Sequence, residues 1–247
     1  MLVNGFFPLR LQRQRKLFGS AQQLRLLDAK VAIVGCGGLG GSIFEMLLRI
    51  GVGHLLVIDP DFFVESNLNR QLLATTANLG GSKVAAALER GRQVNPVAEV
   101  EGLKQVFQSR AGQARLASCD LVLDALDSVS ARLELAQLCA RNDLRLIHGA
   151  VAGWYGQMAP VLPGSKKMAR IYPGSYSEQS ISSPVAEGQG PVDNIAPTVS
   201  AVAALQVAAA VQCLCDFSSS SEPEYQSGTE FAGCFIDLIG PELELMF

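Results

Sequence analysis

The 247-residue chain has two histidines, one tryptophan and no cysteine pair at C-x-x-C spacing. Its histidines, His54 at the start of one apolar run and His148 near the end of another, read as structural residues. Their scarcity weighs against a Ser/His or Cys/His nucleophile and against imidazole acid–base chemistry. Cys36, Cys119, Cys139, Cys213, Cys215 and Cys234, without paired spacing, read as reduced and mostly buried thiols of an intracellular protein. An excess of one charge is also missing. Twenty Lys and Arg against 23 Asp and Glu leave a net charge of -3 with the signs mixed. No basic field therefore points to nucleic acid or to an anionic membrane surface. The first residues place apolar side chains before basic ones, the wrong order for a secretory signal, so a cytoplasmic protein is expected. Long apolar runs are scarce as well. The most extended one, Val199 to Cys215, is near the lower limit of the roughly 17–25 residues a membrane span needs, is rich in alanine and carries Gln206 and Gln212. It reads as a buried core helix begun near Pro197 and Thr198.

Glycine is what the chain has in quantity, and five glycines crowd into VAIVGCGGLGG (Val31 to Gly41). The apolar run Val31–Val34 stops at Gly35, Gly37, Gly38, Gly40 and Gly41, then resumes at helical spacing through Ile43, Met46, Leu47 and Ile50 until Gly51. That pattern predicts strand, tight turn and helix. Glycines let such a turn approach a phosphate, and the free N–H groups and dipole of the helix start favour an anion there. A second apolar strand, Leu55–Ile58, ends in Asp59, close to 20 residues beyond the glycines, where a carboxylate can bond a ribose hydroxyl. A nucleotide site follows, with an adenosine moiety the natural occupant. Dehydrogenases carry the same turn and the same acid.

The segments that come next separate the alternatives. Asn67, Asn69, Arg70 and Gln71 form a polar cluster, and Lys83 opens a further helical pattern (Val84, Leu88, Val94) capped by Ser82. A hydride-transfer enzyme has little use for a guanidinium and an ammonium here. A carboxylate attacking the phosphates of ATP does need fixed cations, because the two anions repel each other until that charge is neutralised.

With these pieces in hand the chain resembles the ThiF/MoeB/HesA adenylyltransferases, relatives of the ubiquitin-activating enzymes. The resemblance is carried in order by RQRKLFG (Arg13 to Gly19), the glycine segment, GVGHLLVIDPD, SNLNRQ, LGGSKV, QVNP (Gln93 to Pro96), DLVLDALDS (Asp120 to Ser128), GAVAGWYGQ (Gly149 to Gln157) and NIAPTVSAVAALQ (Asn194 to Gln206). It implies ATP and Mg2+ as cofactors. Asp59 would hold the ribose, and the turn of Gly35, Gly37, Gly38 and Gly40 would cradle the nucleotide, Gly37 and Gly40 against the phosphates. Asn67, Arg70 and Lys83 would clamp the triphosphate, and Asp127 would take the magnesium ion. Asp124 is either a partner behind it or a buried hydrogen-bonded aspartate. Arg13 would reach the site of a second copy, which implies a homodimer.

The reaction implied is attack by the C-terminal glycine carboxylate of a ubiquitin-like sulfur-carrier protein ending in Gly-Gly, ThiS-like or MoaD-like, on the α-phosphate of ATP, releasing pyrophosphate. An α-carboxyl group has a reference pKa of roughly 3.3 to 3.7, so the nucleophile is already ionised and no general base is needed. The chain departs from its resemblance in two places. Many such proteins bind zinc through two C-x-x-C pairs, but no cysteine stands near Lys166 to Pro173, so zinc is not expected. Those that form a thioester or persulfide place a cysteine before the NIAP segment, where this chain reads GQGPVDNIAP.

Length and alternation predict one α/β domain; the resemblance implies a Rossmann-like, three-layer form whose mixed sheet is parallel in the N-terminal half and antiparallel in the C-terminal half. Residues 1–29 form a helical arm with Leu17, Leu24 and Leu27 packing inward. Residues 30–149 form the nucleotide half, with strands near Val31, Leu55, Val97, Leu121 and Leu144. Residues 150–247 form the carrier-binding half, with short strands at Trp154, Met158–Leu162, Phe231–Leu238 and Leu243–Phe247. Residues 172–194, rich in Ser, Gly and Pro, read as a crossover loop over the site or a disordered insertion. Other functions left open are a tRNA threonylcarbamoyladenosine dehydratase, which the DALDS segment resembles, an NAD-dependent oxidoreductase, and a non-catalytic carrier scaffold.

Overall fold

In the parallel half, apolar runs with no polar side chain to alternate against have to be buried on both faces. The structure, a computed structural model describing residues 7–173, 193–215, 233–240 and 242–246, places them so. β1 (Lys30–Val34), β2 (His54–Ile58) and β4 (Leu121–Asp124) are buried along almost their whole length. β3 (Glu99–Leu103), β5 (Arg145–Ala152), β6 (Tyr155–Val161), β7 (Gly233–Asp237) and β8 (Glu242–Met246) complete one eight-stranded sheet in the order β3-β2-β1-β4-β5-β6-β7-β8. From β3 to β5 the pairing is parallel, and from β5 to β8 it is antiparallel, as the resemblance implies.

Helices cover both faces and give the three layers. On one side α2 (Gly38–Ile50), α3 (Lys83–Val94) and α7 (Ala196–Cys215) bury Ile43, Phe44, Leu47, Val84, Ala87, Val202, Ala203 and Val207 against the sheet. The other side holds α4 (Arg110–Leu116), α5 (Val129–Arg141) and α6 (Lys167–Ile171), packed through Leu116, Leu135, Leu138 and Met168. Side-chain hydroxyls start three of these helices: Ser82, Ser109 and Ser128 accept from Ala85, Gly112 and Ala131 N–H. Gly51, at φ 93°, ends α2 in the left-handed conformation.

α7 is long and apolar enough to cross a membrane by length and composition alone. Its packing makes it a core helix. Val202, Ala203 and Ala210 have no exposed surface, and the buried Gln206 donates to the Asp124 and Ile147 carbonyls, stitching α7 to β4 and β5.

Three local expectations need correction. Leu17 is 74% exposed, while Leu26 of α1 (Arg15–Asp28) has no exposed surface. Gly19 (φ 61°) kinks α1, so the helical register set by Leu17 does not continue into the second half. Val97 lies in the turn before β3, and Trp154 sits at the turn between β5 and β6 rather than in a strand. Most of the anticipated crossover segment 172–194 lies outside the described residues, as do Phe231 and Phe247.

Candidate active site

Strand order reverses direction around β1, with β2 on one side and β4 on the other, and such a switch point opens a crevice at the carboxyl ends of the strands. The glycine turn runs into this crevice. Gly35 adopts φ 94°, and a Cβ there would lie 2.5 Å from the Ala125 carbonyl. A Cβ on Gly40 would lie 1.9 Å from the Gly35 carbonyl. Gly40 is therefore required for close packing of α2 on its own entry turn, a demand that stands beside the phosphate contact expected of it. Gly37 caps α2 without any side-chain hydrogen bond, so the first N–H groups of the helix face the crevice uncapped.

Asp59, buried at the end of β2, accepts from Cys36 N–H (2.6 Å) through Oδ2 and from Asp61 N–H (2.7 Å) through Oδ1. It thereby fixes the glycine turn. Each oxygen keeps a second lone pair for a ribose hydroxyl. Lys83, at the first turn of α3, is buried with its Nζ 2.9 Å from Asp61 Oδ2, and two of its three N–H bonds have no partner among the described residues and could meet an anion. Asp61 was not singled out from the sequence, although the D-x-D spacing could have suggested it. Asn67 is buried and its Oδ1 accepts from Val64 N–H (3.0 Å), so this oxygen shapes the loop. Arg70 lies beside Gly38, whose Cβ position is 3.7 Å from Arg70 Cγ. Gln71 is buried at the same turn with an unbonded Oε1 among the described residues.

Asp127 projects from the loop after β4 and is exposed, with no hydrogen-bond or ion-pair partner among the described residues. The loop is held from behind. Leu126 N–H donates to Asp124 Oδ1 (3.0 Å), and the Leu126 carbonyl accepts two bonds from the buried Arg132 guanidinium (3.1 and 2.9 Å). Asp124 Oδ2 is 2.7 Å from His148 Nδ1, and Tyr172 Oη lies near both His148 Nε2 and Arg132 Nη1. Burial pushes the Tyr172 hydroxyl pKa up. His148 and Asp124 are thus structural, and Arg132, unmarked in the sequence because one helical arginine looks like another, completes the support.

Among the described residues no three His, Cys, Asp or Glu side chains converge to hold a metal ion. One exposed carboxylate beside an anion site suits a hard cation that takes its remaining oxygens from phosphates and water. Arg13 is not brought to this crevice. It is exposed in a short 3-10 turn, and its neighbour Gln14 donates to the Ile50 carbonyl at the far end of α2, about 18 Å along the helix from Gly38.

All six thiols are pushed up by burial, Cys36 to about 12 with the Asp59 carboxylate adding to the effect, Cys139 to about 12, Cys119 and Cys215 to about 11. Burial thus favours the protonated form of each thiol.

The model of the ThiF family matches residues 11–233. This chain belongs to the ThiF family. Among curated relatives of this ThiF-family chain, the sulfur carrier protein ThiS adenylyltransferase of Escherichia coli is 35% identical over 141 residues, 57% of this chain and 56% of that one. The tRNA threonylcarbamoyladenosine dehydratase of the same organism is 34% identical over 161 residues, 65% of this chain and 59% of that one. The chain spans little more than half the length of such relatives. In fold it is similar to the microcin C7 biosynthetic enzyme MccB, solved with N-formylated MccA, at a TM-score of 0.80 and 19% identity, covering 99% of this chain and 73% of that one.

Proposed function

We propose that this ThiF-family chain adenylates the C-terminal glycine carboxylate of a ubiquitin-like sulfur carrier. The observation that supports the reading is an uncapped start of α2 at the switch point, with Arg70 beside Gly38, Lys83 held on Asp61 just beyond the end of β2, and an exposed Asp127 on the loop after β4. Gly37, Gly38 and the first N–H groups of α2 would receive the phosphates, with Asp59 on the ribose. A magnesium ion held by Asp127 and the triphosphate would neutralise charge as the phosphorus is attacked.

In the reaction a carboxylate oxygen forms a bond to the α-phosphorus. The bond from that phosphorus to the bridging oxygen breaks, and pyrophosphate leaves with the electron pair. No proton moves, which fits a site whose buried histidine is committed to Asp124. Arg70 and Lys83 stabilise the charge that gathers on the phosphate oxygens. Arg13, too far from its own crevice, would serve the site of a second copy in a homodimer. With every thiol buried or half-buried and pushed up by burial, none is offered as a nucleophile, and a step beyond the acyl-adenylate would take an outside sulfur donor.

The dehydratase relative favours a second reading, in which the activated carboxylate belongs to a tRNA nucleoside. The small net charge of -3 weighs against a tRNA-sized anion. ATP–pyrophosphate exchange separates the two. Exchange dependent on a carrier ending in Gly-Gly supports the first, and exchange only with modified tRNA replaces it with the second.

A further inference from the structure

Asn69 joins two parts of the molecule that share no helix or strand. Its Oδ1 accepts from Arg70 Nη1 at 2.8 Å, and its Nδ2 donates to the Asn194 carbonyl at 3.0 Å. The two bonds settle which way the amide points. A flipped amide would set N–H against N–H at Arg70 and oxygen against oxygen at Asn194. Arg70 Nη1 also donates to the Ser66 carbonyl at 2.9 Å. Two acceptors on one terminal nitrogen fix the plane of a guanidinium, and Nε and Nη2 remain without a partner among the described residues.

The other end of the bridge is anchored too. Asn194 pairs with Gly153 in an isolated parallel bridge, its Oδ1 accepting from Gly153 N–H (3.3 Å), while Thr198 Oγ1 donates to the Gly153 carbonyl (2.8 Å). Gly153, at φ 60°, forms the β5–β6 turn. Arg70 is therefore steered from the loop after β2 and, through Asn69, from a turn in the antiparallel half of the sheet.

We infer that Asn69 is a positioning residue for Arg70, holding the guanidinium so that Nε and Nη2 face the triphosphate. Resting on the nucleotide reading above, the inference assigns Asn69 no contact with substrate. Its effect passes through Arg70 alone.

The test is a double-mutant cycle on nucleotide affinity, measured by calorimetry with the non-hydrolysable analogue AMPCPP plus magnesium and, separately, with adenosine. Asn69→Ala should weaken AMPCPP about fivefold and Arg70→Ala about thirtyfold, in line with the cost of misplacing one charged contact. Arg70→Ala combined with Asn69→Ala should be no weaker than Arg70→Ala alone within about twofold. Adenosine, lacking phosphates, should bind all four proteins equally. Losses that multiply, an Asn69→Ala affinity within about twofold of the parent, or an equal loss for adenosine would overturn the inference, the last by showing a merely structural role. A parent protein that binds neither probe would instead bring down the nucleotide reading, and the inference with it. Asn69 is exposed, so its alanine variant is expected to fold, and an unliganded melting curve checks this.

Discussion

The two halves of the sheet are built from different kinds of sequence, and the proposed function gives them different work. In the parallel half β1, β2 and β4 are buried on both sides, and the groups proposed to touch ATP lie just beyond the carboxyl ends of these strands, on the loops that follow and on the first turns of α2 and α3. In the antiparallel half, β6 and β7 put an aromatic pair outward, Tyr155 stacked on Phe235 with ring centroids 5.9 Å apart, next to the half-exposed Trp154 at the turn. A site for a common cofactor needs fixed geometry, and the parallel half provides it. A surface that selects among acceptors can vary without disturbing that geometry. Relatives named for a carrier protein and for a tRNA nucleoside fit this division.

If the division is right, changes in the two halves separate cleanly. The largest effect is expected for Asp127→Ala, which should lose about a hundredfold or more of adenylate formation in ATP–pyrophosphate exchange. Because Asp127 is exposed, its melting temperature should stay within about 2 °C of the parent. Gly40→Ala should abolish AMPCPP binding and cost about 2–3 kcal/mol in chemical denaturation, since its Cβ meets the Gly35 carbonyl at 1.9 Å and the turn must move.

Gln206→Leu probes the seam between halves. Losing the donors to Asp124 and Ile147 carbonyls should cost about 1–3 kcal/mol, lowering the melting temperature by about 2–10 °C, with nucleotide affinity retained in the surviving fold. Trp154→Ala should raise the KM for the carrier about fivefold and leave the KM for ATP unchanged; an equal shift in both would dissolve the division. The smallest effect is alkaline. Buried thiols such as Cys36, raised from 9.0 to about 12, bind their protons more tightly in the folded chain. Their contribution to stability is complete below pH 9 and is lost as the pH climbs from 9 toward 12. Thermal melts should be level from pH 7 to 9 and decline above it.

The parallel half was the readable one because its code is local. A glycine turn, an acid one strand later and a capped lysine each declare themselves within a few residues, and the structure sets Asp59 against the turn through Cys36 N–H, Arg70 beside Gly38 and Lys83 on Asp61. What stayed hidden depends on distant partners. Arg132 on α5 and Leu126 in the loop before it are only six positions apart, but Tyr172 and His148 join them only after β5 and α6 have packed. Asn69 meets Asn194 across 125 positions. Leu17 was misplaced because the pattern is blind to a kink at Gly19. Gly40 carries a packing demand, a Cβ there meeting the Gly35 carbonyl at 1.9 Å, that spacing alone does not reveal beside the phosphate contact expected of it.

The most direct test of the central claim is to follow the label from ATP marked at its α-phosphate into a carrier ending in Gly-Gly. The account predicts that the α-label reaches the carrier, that pyrophosphate is released, and that removal of the last glycine abolishes both. Label that moves only from the γ-position, with ADP as the product, would contradict adenylation and the assignment of the crevice built on it.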